Sequence, residues 1–344
     1  MSGWAVVLAG GVGSRFWPLS TPQRPKQLLP LVGHRSLLGD TLARLTPLAP
    51  PERTLVLTNA SLAERTAALA PALPRENVIA EPKPAGTAAA LAWAAAEIAR
   101  RAGDDTLMTC VHADWAIGDA PAFVDTLRTA GRVADRERAL VTVGIVPTRP
   151  DPGFGYIQCG EPASHEAFHV ARFAEKPDRA TAERMVREGY LWNSGIFVWR
   201  VGDFLDEVNA HTPEVAPALA SAGHDLAAFF AAVRPVSVDV GVLERSRRVL
   251  VIPGRFGWDD VGTWAALQRV RPRDASGNAV SGRAHALDAA DNVVHAEGNA
   301  VVLYGVSGLV VVTRDGLTLV TTVERSAELK TLIDSLPDDL RDRP

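Results

Sequence analysis

The sequence predicts an α/β protein, a doubly wound sheet of parallel βαβ units followed by a small C-terminal unit of short strands. Three observations carry this. Short apolar runs alternate with segments of helical period through the first 150 residues, the pattern of βαβ units whose helices cover a sheet. A glycine-rich turn, AGGVG, follows the first run, WAVVL, at the place where a buried parallel strand usually faces a ligand. After RPRDASGN, residues 271–278, the runs shorten and are broken by Gly and Asn.

In order, strands are predicted at about 4–9, 54–58, 77–80, 107–111 and 139–146, with helices at about 36–46, 61–70, 87–101 and 120–136. Thr87 is the expected N-cap of the third helix. From 153 to 200 the segments YIQC, HVARFAEKP and SGIFVWR surround a helix, TAERMVREG, that starts at a Thr cap and stops at Gly189, a stretch read as an insertion over one end of the sheet. A helical stretch at about 201–233 follows, then SVDVGVLERS and the strand RVLVIP before GWDDVGTW. Beyond a boundary near 275, Asn-x-Val recurs at 278, 292 and 299, which suggests a small β-solenoid or an ordinary antiparallel sheet. The chain ends in a helix from Ser326, with Leu329, Leu332 and Ile333 inward and Glu328 and Lys330 outward. Domains 1–275 and 276–344 result, with every chemical motif in the first.

A net charge of −4 and a pI near 6.1 give no bulk attraction to nucleic acid or to an anionic membrane. No apolar run reaches membrane-spanning length and no leader-like start is present, so the expected location is the cytoplasm. Cys110 and Cys159 lack partners at metal-ligand spacing and read as small core residues. The eight tryptophans have no basic interleaving and read as core and pocket wall. Of the 36 basic residues only four are lysines, at 26, 83, 176 and 330. Lysine is a compact point charge where arginine is a planar fork, so Lys26 in PKQ and Lys176 in EKP stand out.

The glycine turn fits neither common nucleotide motif. A dinucleotide fingerprint needs glycine where Phe16 stands, and a P-loop ends in Gly-Lys-Ser/Thr. What remains is GGxGxR followed by PKQ. Gly10, Gly11 and Gly13 let backbone N–H groups approach phosphate oxygens, Arg15 can grip two of them, and Lys26 can add a point charge near a reacting phosphorus.

With the neighbouring motifs, LAGGVGSRFWPLS, PKQLLPL, EPKPAGTAAAL, HADWAI, GIVPTRPDPGFGYI, FAEKP, YLWNSGIF and GWDDVGTW, the chain resembles the sugar nucleotidyltransferases over nearly its whole length, most closely their bacterial mannose-1-phosphate branch. The resemblance implies a Rossmann-like, doubly wound mixed sheet of the nucleotide-diphospho-sugar transferase type and a left-handed β-helix-like C-terminal element that forms homodimers. It implies transfer of GMP from GTP to α-D-mannose 1-phosphate with Mg²⁺ as cofactor, no nucleic-acid or membrane partner, and no room for the extra isomerase domain of longer relatives. Carried onto this chain, the nucleotide site comprises Leu8, Ala9, Gly10, Gly11, Gly13, Ser14 and Arg15 for the phosphates, with Glu81, Pro82, Gly86 and Thr87 beside the base. Arg15, Lys26, Asp114 and Asp260 are the catalytic set, and Asp114 and Asp260 the metal ligands. The competing assignment makes Asp259 the ligand and Asp260 a cap. Gly155, Glu175, Lys176 and Asn193 are implied to bind the sugar phosphate. The chain departs from the family at Trp115, where a His follows the Asp in relatives, and at Ala85-Gly86, where relatives often have Arg-Asn. Two other readings are a different hexose 1-phosphate nucleotidyltransferase, such as one joining glucose 1-phosphate to dTTP, and a catalytically silent regulatory homologue that binds sugar nucleotide. Retention of Arg15, Lys26, Asp114 and Asp260 speaks against the second.

Overall fold

The computed structural model describes residues 3–11 and 15–341; Gly13 and Ser14 of the glycine turn lie outside them. The strands are β1 Trp4–Leu8, β2 Thr54–Asn59, β3 Val78–Glu81, β4 Leu107–His112, β5 Ala116–Ile117, β6 Leu140–Ile145, β7 Tyr156–Pro162 and β8 Phe168–Ala174. They continue with β9 Leu191–Arg200, β10 Val249–Gly254, β11 Trp258–Asp259, β12 Ala279–Leu287, β13 Val293–Tyr304, β14 Leu309–Arg314 and β15 Leu317–Thr322. The chain divides into two compact units, each assembled from separate stretches: Met1–Gly10, Leu42–Ala113 and Asp119–Phe256 form the first, and Gly11–Thr41, Asp114–Gly118 and Gly257–Pro344 the second.

The first unit holds a nine-stranded sheet in the order β3-β2-β1-β4-β9-β6-β10-β8-β7. Strands β3, β2, β1 and β4 run parallel, as do β6 and β10. Strand β9 is antiparallel to both β4 and β6, which makes the sheet mixed, as the resemblance implies and the pattern of parallel βαβ units alone does not. Strands β1 and β6 are buried along their full length, so they read as continuous apolar runs rather than as alternation. The helix Gly86–Ala102 buries all of 88–95, six of them alanines, and such small side chains allow close approach to the apolar cluster it shares with Val6, Leu55, Leu57 and Met108.

Local departures from the expected elements have local causes. Thr87 does not cap its helix; its Oγ1 accepts the Val238 N–H at 2.8 Å, and Ala85 holds the cap position. The helix expected to start at Thr181 spans Arg179–Arg187, because Asp178 caps it through the Thr181 N–H at 2.7 Å. The stretch 201–233 is three helices, Val201–His211, Ala216–Ala222 and Leu226–Ala232. Pro213 and a left-handed Gly223 (φ 56°) lie at the breaks.

In the second unit β5 and β11 pair as an antiparallel ribbon, and β12, β13, β14 and β15 form a separate sheet. The first three of these run parallel and β15 is antiparallel to β14. Two of the three Asn-x-Val asparagines form a buried ladder: Asn278 Oδ1 accepts from the Asn292 backbone and side chain at 3.0 and 2.9 Å, and Asn292 Oδ1 accepts the Leu309 N–H at 2.9 Å. Asn299 is exposed within β13. Of the last helix, Leu329–Ser335, Leu329 is buried but Leu332 is 36% exposed, so it docks by a narrower face than its pattern predicts. Among the described residues no helix is long and apolar enough to cross a membrane.

The core of this unit joins Phe16, Trp17, Leu19, Leu29 and Leu31 to Val261, Trp264 and Leu267 and to Val293, Val310, Val312 and Leu319. The boundary drawn near residue 275 therefore passes through one apolar cluster. Removing residues 276–344 would strip one wall from Phe16, Leu29 and Leu31, each large apolar truncation costing about 2–5 kcal/mol. The truncated chain is expected to lose its cooperative thermal transition or to melt far below full length in circular dichroism; a truncated chain with the full-length midpoint would contradict this.

Candidate active site

In the first unit, the backbone leaving β1 is held open by the neighbouring parallel strand. Ala9 donates to the Leu57 carbonyl at 2.8 Å. Its own carbonyl accepts from Thr58 Oγ1 at 3.1 Å, and the Gly10 carbonyl accepts from Asn59 Nδ2 at 2.9 Å. Both carbonyls are thereby occupied by β2 side chains that the sequence reading missed. Leu8 is buried at the strand end and Ala9 behind it. Glu81 ends β3, and a Cβ on Gly10 would stand 3.9 Å from its Oε1.

Burial pushes the Glu81 carboxyl up from 4.5 to about 7. Pro82 beside it is exposed. Gly86 has φ 79°, and a Cβ there would collide with the Val236 carbonyl, so packing against Val236 already demands glycine at this position.

The implied sugar-phosphate residues also lie in the first unit, and three of them meet. A Cβ on Gly155 would stand 2.8 Å from Glu175 Oε2, and the Gly155 carbonyl accepts the Asn193 N–H at 2.8 Å. The bare glycine thus makes room for the Glu175 carboxylate. Asn193 Nδ2 donates to Asp239 Oδ1 at 2.8 Å. Partial burial and then the Asp239 carboxylate raise the Glu175 carboxyl. Asp239 begins a short π-helical turn, Asp239–Leu243, a rare device enriched at functional sites. Its stretch, SVDVGVL, is visible in the sequence but carries no motif. Lys176 is exposed and sits at φ 42°, an uncommon backbone state for a residue with a Cβ.

The second unit brings Lys26, Asp114 and the Asp260 backbone together. The register of the β5–β11 ribbon pairs Ala116 with Asp259, so the strand positions one and two residues on run Asp114 toward Asp260 and Val261. Lys26 closes this end: its Nζ lies 3.0 Å from Asp114 Oδ2 and donates to the carbonyls of Asp260 at 2.9 Å and Val261 at 3.3 Å. All three ammonium protons have an oxygen. Val261 sits at φ 46°, a true outlier for a β-branched residue, of a kind that costs on the order of 1–3 kcal/mol and clusters at functional sites. Flanking carboxylates hold it: Asp259 Oδ1 accepts the Val261 N–H at 3.0 Å and Asp260 Oδ1 the Gly262 N–H at 3.2 Å. A side chain on Gly262 would meet Asp260 Oδ2 at 2.7 Å.

Asp259 is buried and paired with Arg269 at 2.8 and 3.2 Å, whereas Asp260 is only partly buried. Trp115 packs edge-on against Trp258 with centroids 5.9 Å apart. Gln27, next to Lys26, is buried and donates from Nε2 to the Gly11 carbonyl at 2.8 Å, tying the glycine turn to the lysine segment; the PKQ motif is the sequence signal for it. Arg15 is exposed. Asp114 and Asp260 present hard carboxylate oxygens, a donor chemistry that suits Mg²⁺. Among the described residues no group of three or more His, Cys, Asp or Glu is clustered to cage a metal.

The fold is that of the α/β nucleotidyltransferases, and residues 4–277 match the family described as nucleotidyl transferase. The chain is 38% identical to a mannose-1-phosphate guanylyltransferase from Klebsiella pneumoniae, over 98% of this chain and 74% of that protein. It is 37% identical to a mannose-1-phosphate guanylyltransferase from Escherichia coli with the same coverage. The crystal structure of a mannose-1-phosphate geranyltransferase from Thermus thermophilus superposes with a TM-score of 0.89 at 36% identity, covering 97% of this chain and 99% of that one. The chain belongs to the nucleotidyl transferase family.

The Glu81 carboxyl gives a pH test. Its folded value lies above its unfolded one, so the folded protein binds this proton more tightly. Stability conferred by Glu81 is intact below about pH 4.5 and is lost as pH rises toward about 7. Across that window the unfolding free energy of Glu81→Gln is expected to gain on wild type by about 1–3 kcal/mol in urea titrations. A difference that stays flat with pH would place Glu81 in water.

Proposed function

We propose that the chain transfers GMP from GTP to α-D-mannose 1-phosphate, giving GDP-mannose and pyrophosphate. The observation that carries this reading is the Lys26–Asp114–Asp260 arrangement in a chain that aligns over 98% of its length with relatives named mannose-1-phosphate guanylyltransferase.

In this reading the sugar phosphate oxygen attacks the α-phosphorus in line and pyrophosphate leaves, with no covalent enzyme intermediate. Catalysis is then positioning and charge neutralisation. Gly11, Gly13 and Arg15 take the pyrophosphate side, with Leu8, Ala9, Gly10 and Ser14 as the further phosphate contacts. Lys26 trades part of its present oxygen set for the α-phosphoryl group as charge builds there. Lys176 meets the sugar phosphate, and Glu175 and Asn193 take sugar hydroxyls. Glu81, Pro82 and the backbone at Gly86 and Thr87 read the base; an ionised Glu81 can accept from guanine N1–H and N2–H. Asp114 and Asp260 would hold Mg²⁺, which supplies charge neutralisation and a template for the phosphates.

The parallel pairing of β12, β13 and β14 through the Asn278–Asn292 ladder supports reading the tail as a short β-helix-like element. On its outer side Leu287, Val302 and Tyr304 are 54–72% exposed on adjacent strands in register, a patch suited to a second copy of this chain. A cytoplasmic homodimer is the corresponding proposal.

Pyrophosphate release across a panel of nucleoside triphosphates and sugar 1-phosphates tests the reading. GTP with mannose 1-phosphate is expected to be the best pair, with turnover abolished by EDTA and restored by Mg²⁺. Equal or better turnover with dTTP and glucose 1-phosphate would overturn the substrate assignment, and full activity in chelator would remove the metal roles of Asp114 and Asp260.

A further inference from the structure

The segment that carries Lys26 is fastened at both ends by arginines from the C-terminal part of the same unit. At its start, Arg314 at the end of β14 donates from Nη1 to the carbonyls of Pro18 at 3.3 Å and Leu19 at 3.1 Å. At its end, Arg271 donates from Nε to the Leu31 carbonyl at 2.6 Å and from Nη1 to the Val294 carbonyl at 3.3 Å. Arg271 is 6% exposed, and burial pushes its guanidinium down to about 10, still protonated at neutral pH. The oxygens it meets here are carbonyl oxygens, and charge-assisted bonds of this kind are stronger than neutral ones.

A buried histidine links the two arginines. Arg271 Nη2 lies 3.0 Å from His295 Nδ1. A guanidinium can only donate, so Nδ1 accepts and the ring proton of the neutral imidazole sits on Nε2, 3.2 Å from Glu297 Oε1. Burial and the neighbouring Arg271 charge lower the His295 value and keep this tautomer neutral. The Glu297 carboxylate lies 3.8 Å from Arg24 and 3.9 Å from Arg314. The chain of contacts thus runs from Leu31 through Arg271, His295 and Glu297 to Arg314 and back to Pro18 and Leu19. Arg24, two residues before Lys26, is tethered in the middle.

We propose that this Arg271–His295–Glu297–Arg314 network is a positioning device for Lys26: the C-terminal sheet fixes where the ammonium stands, and its residues act on the reaction only through that lysine. The inference rests on Lys26 acting at the α-phosphoryl group. It follows from mechanics, because Lys26 begins a single 3₁₀ turn, Lys26–Leu28, in an otherwise irregular segment and is placed only as well as that segment's ends, and misplacement of about 1 Å is enough to cost on the order of 10²-fold in rate.

A double-mutant cycle tests it, with kcat and KM for GTP measured at saturating mannose 1-phosphate and circular dichroism at assay temperature. Arg314→Met is expected to lower kcat by at least about tenfold while KM for GTP changes less than about threefold. Arg314→Lys, whose ammonium can reach one of the two carbonyls, should recover part of the loss. In a Lys26→Met background the same Arg314→Met change should cost less than about twofold, because the residue through which it acts is gone. An equal fold-loss in both backgrounds, or an unchanged kcat, would overturn the proposal. Wild-type kcat in Lys26→Met alone would instead overturn the role of Lys26. Should Arg314→Met fail to fold, Glu297→Gln carries the same cycle, with an expected loss of at least about threefold confined to the Lys26 background.

Discussion

Lys26 Nζ stands 3.0 Å from the Asp114 carboxylate and donates to the carbonyls of Asp260 and Val261. Three stretches far apart in sequence are joined at this one ammonium, and much of the second unit can be read as the means of keeping it there. The β5–β11 ribbon sets Asp114 against residues 260 and 261. The left-handed Val261 turns its carbonyl toward the lysine and is held by Asp259, itself fixed by Arg269. Gln27 ties the neighbouring position to Gly11, so the glycine turn and the lysine are fastened to each other. A compact tetrahedral donor meets three oxygens here, and a planar fork does not fit the same point. In a chain that otherwise uses arginine for 32 of its 36 basic residues, that geometry gives lysine at 26 a physical reason.

The first unit is built on a different principle. The middle of its sheet is dry, with β1 and β6 fully buried, and its candidate site residues sit near strand ends or just beyond. Glu81 ends β3, Asn193 lies in β9 opposite Gly144, and Glu175 follows β8 against Gly155. Two carboxylates there, Glu81 and Glu175, are raised by burial or by a neighbouring Asp. Polar groups of this kind are costly to keep without a partner, which is why perturbed carboxyls mark candidate ligand sites.

Much of this is legible in the sequence. Buried parallel strands write themselves as apolar runs, so β1, β2, β4 and β6 can be placed nearly to the residue, and the helices between them by period. The motif residues are also legible, because glycine, lysine and aspartate carry chemistry by their type. What is not legible depends on tertiary partners. Nothing local distinguishes Asp178 from Thr181 as a cap, or shows that Gly86 faces Val236. Asp239 and Asn59 have no motif and acquire a role only through Asn193 and Gly10. The largest gap is the tail: residues after 275 bear no chemical motif, yet their strands complete the core under Phe16, Leu29 and Leu31, a relation between distant stretches that no window of sequence contains.

The central claim, that Lys26 acts as a precisely seated ammonium rather than as generic positive charge, is tested most directly by Lys26→Arg. Charge is kept while shape changes, so kcat and the GTP dissociation constant separate the two readings. The account predicts a fall in kcat of at least about tenfold, toward the 10²–10³ typical of losing a preorganised charge contact, with a much smaller change in GTP affinity. An unchanged kcat would contradict it, and a lost GTP affinity with normal kcat at saturation would move Lys26 from the reaction to binding.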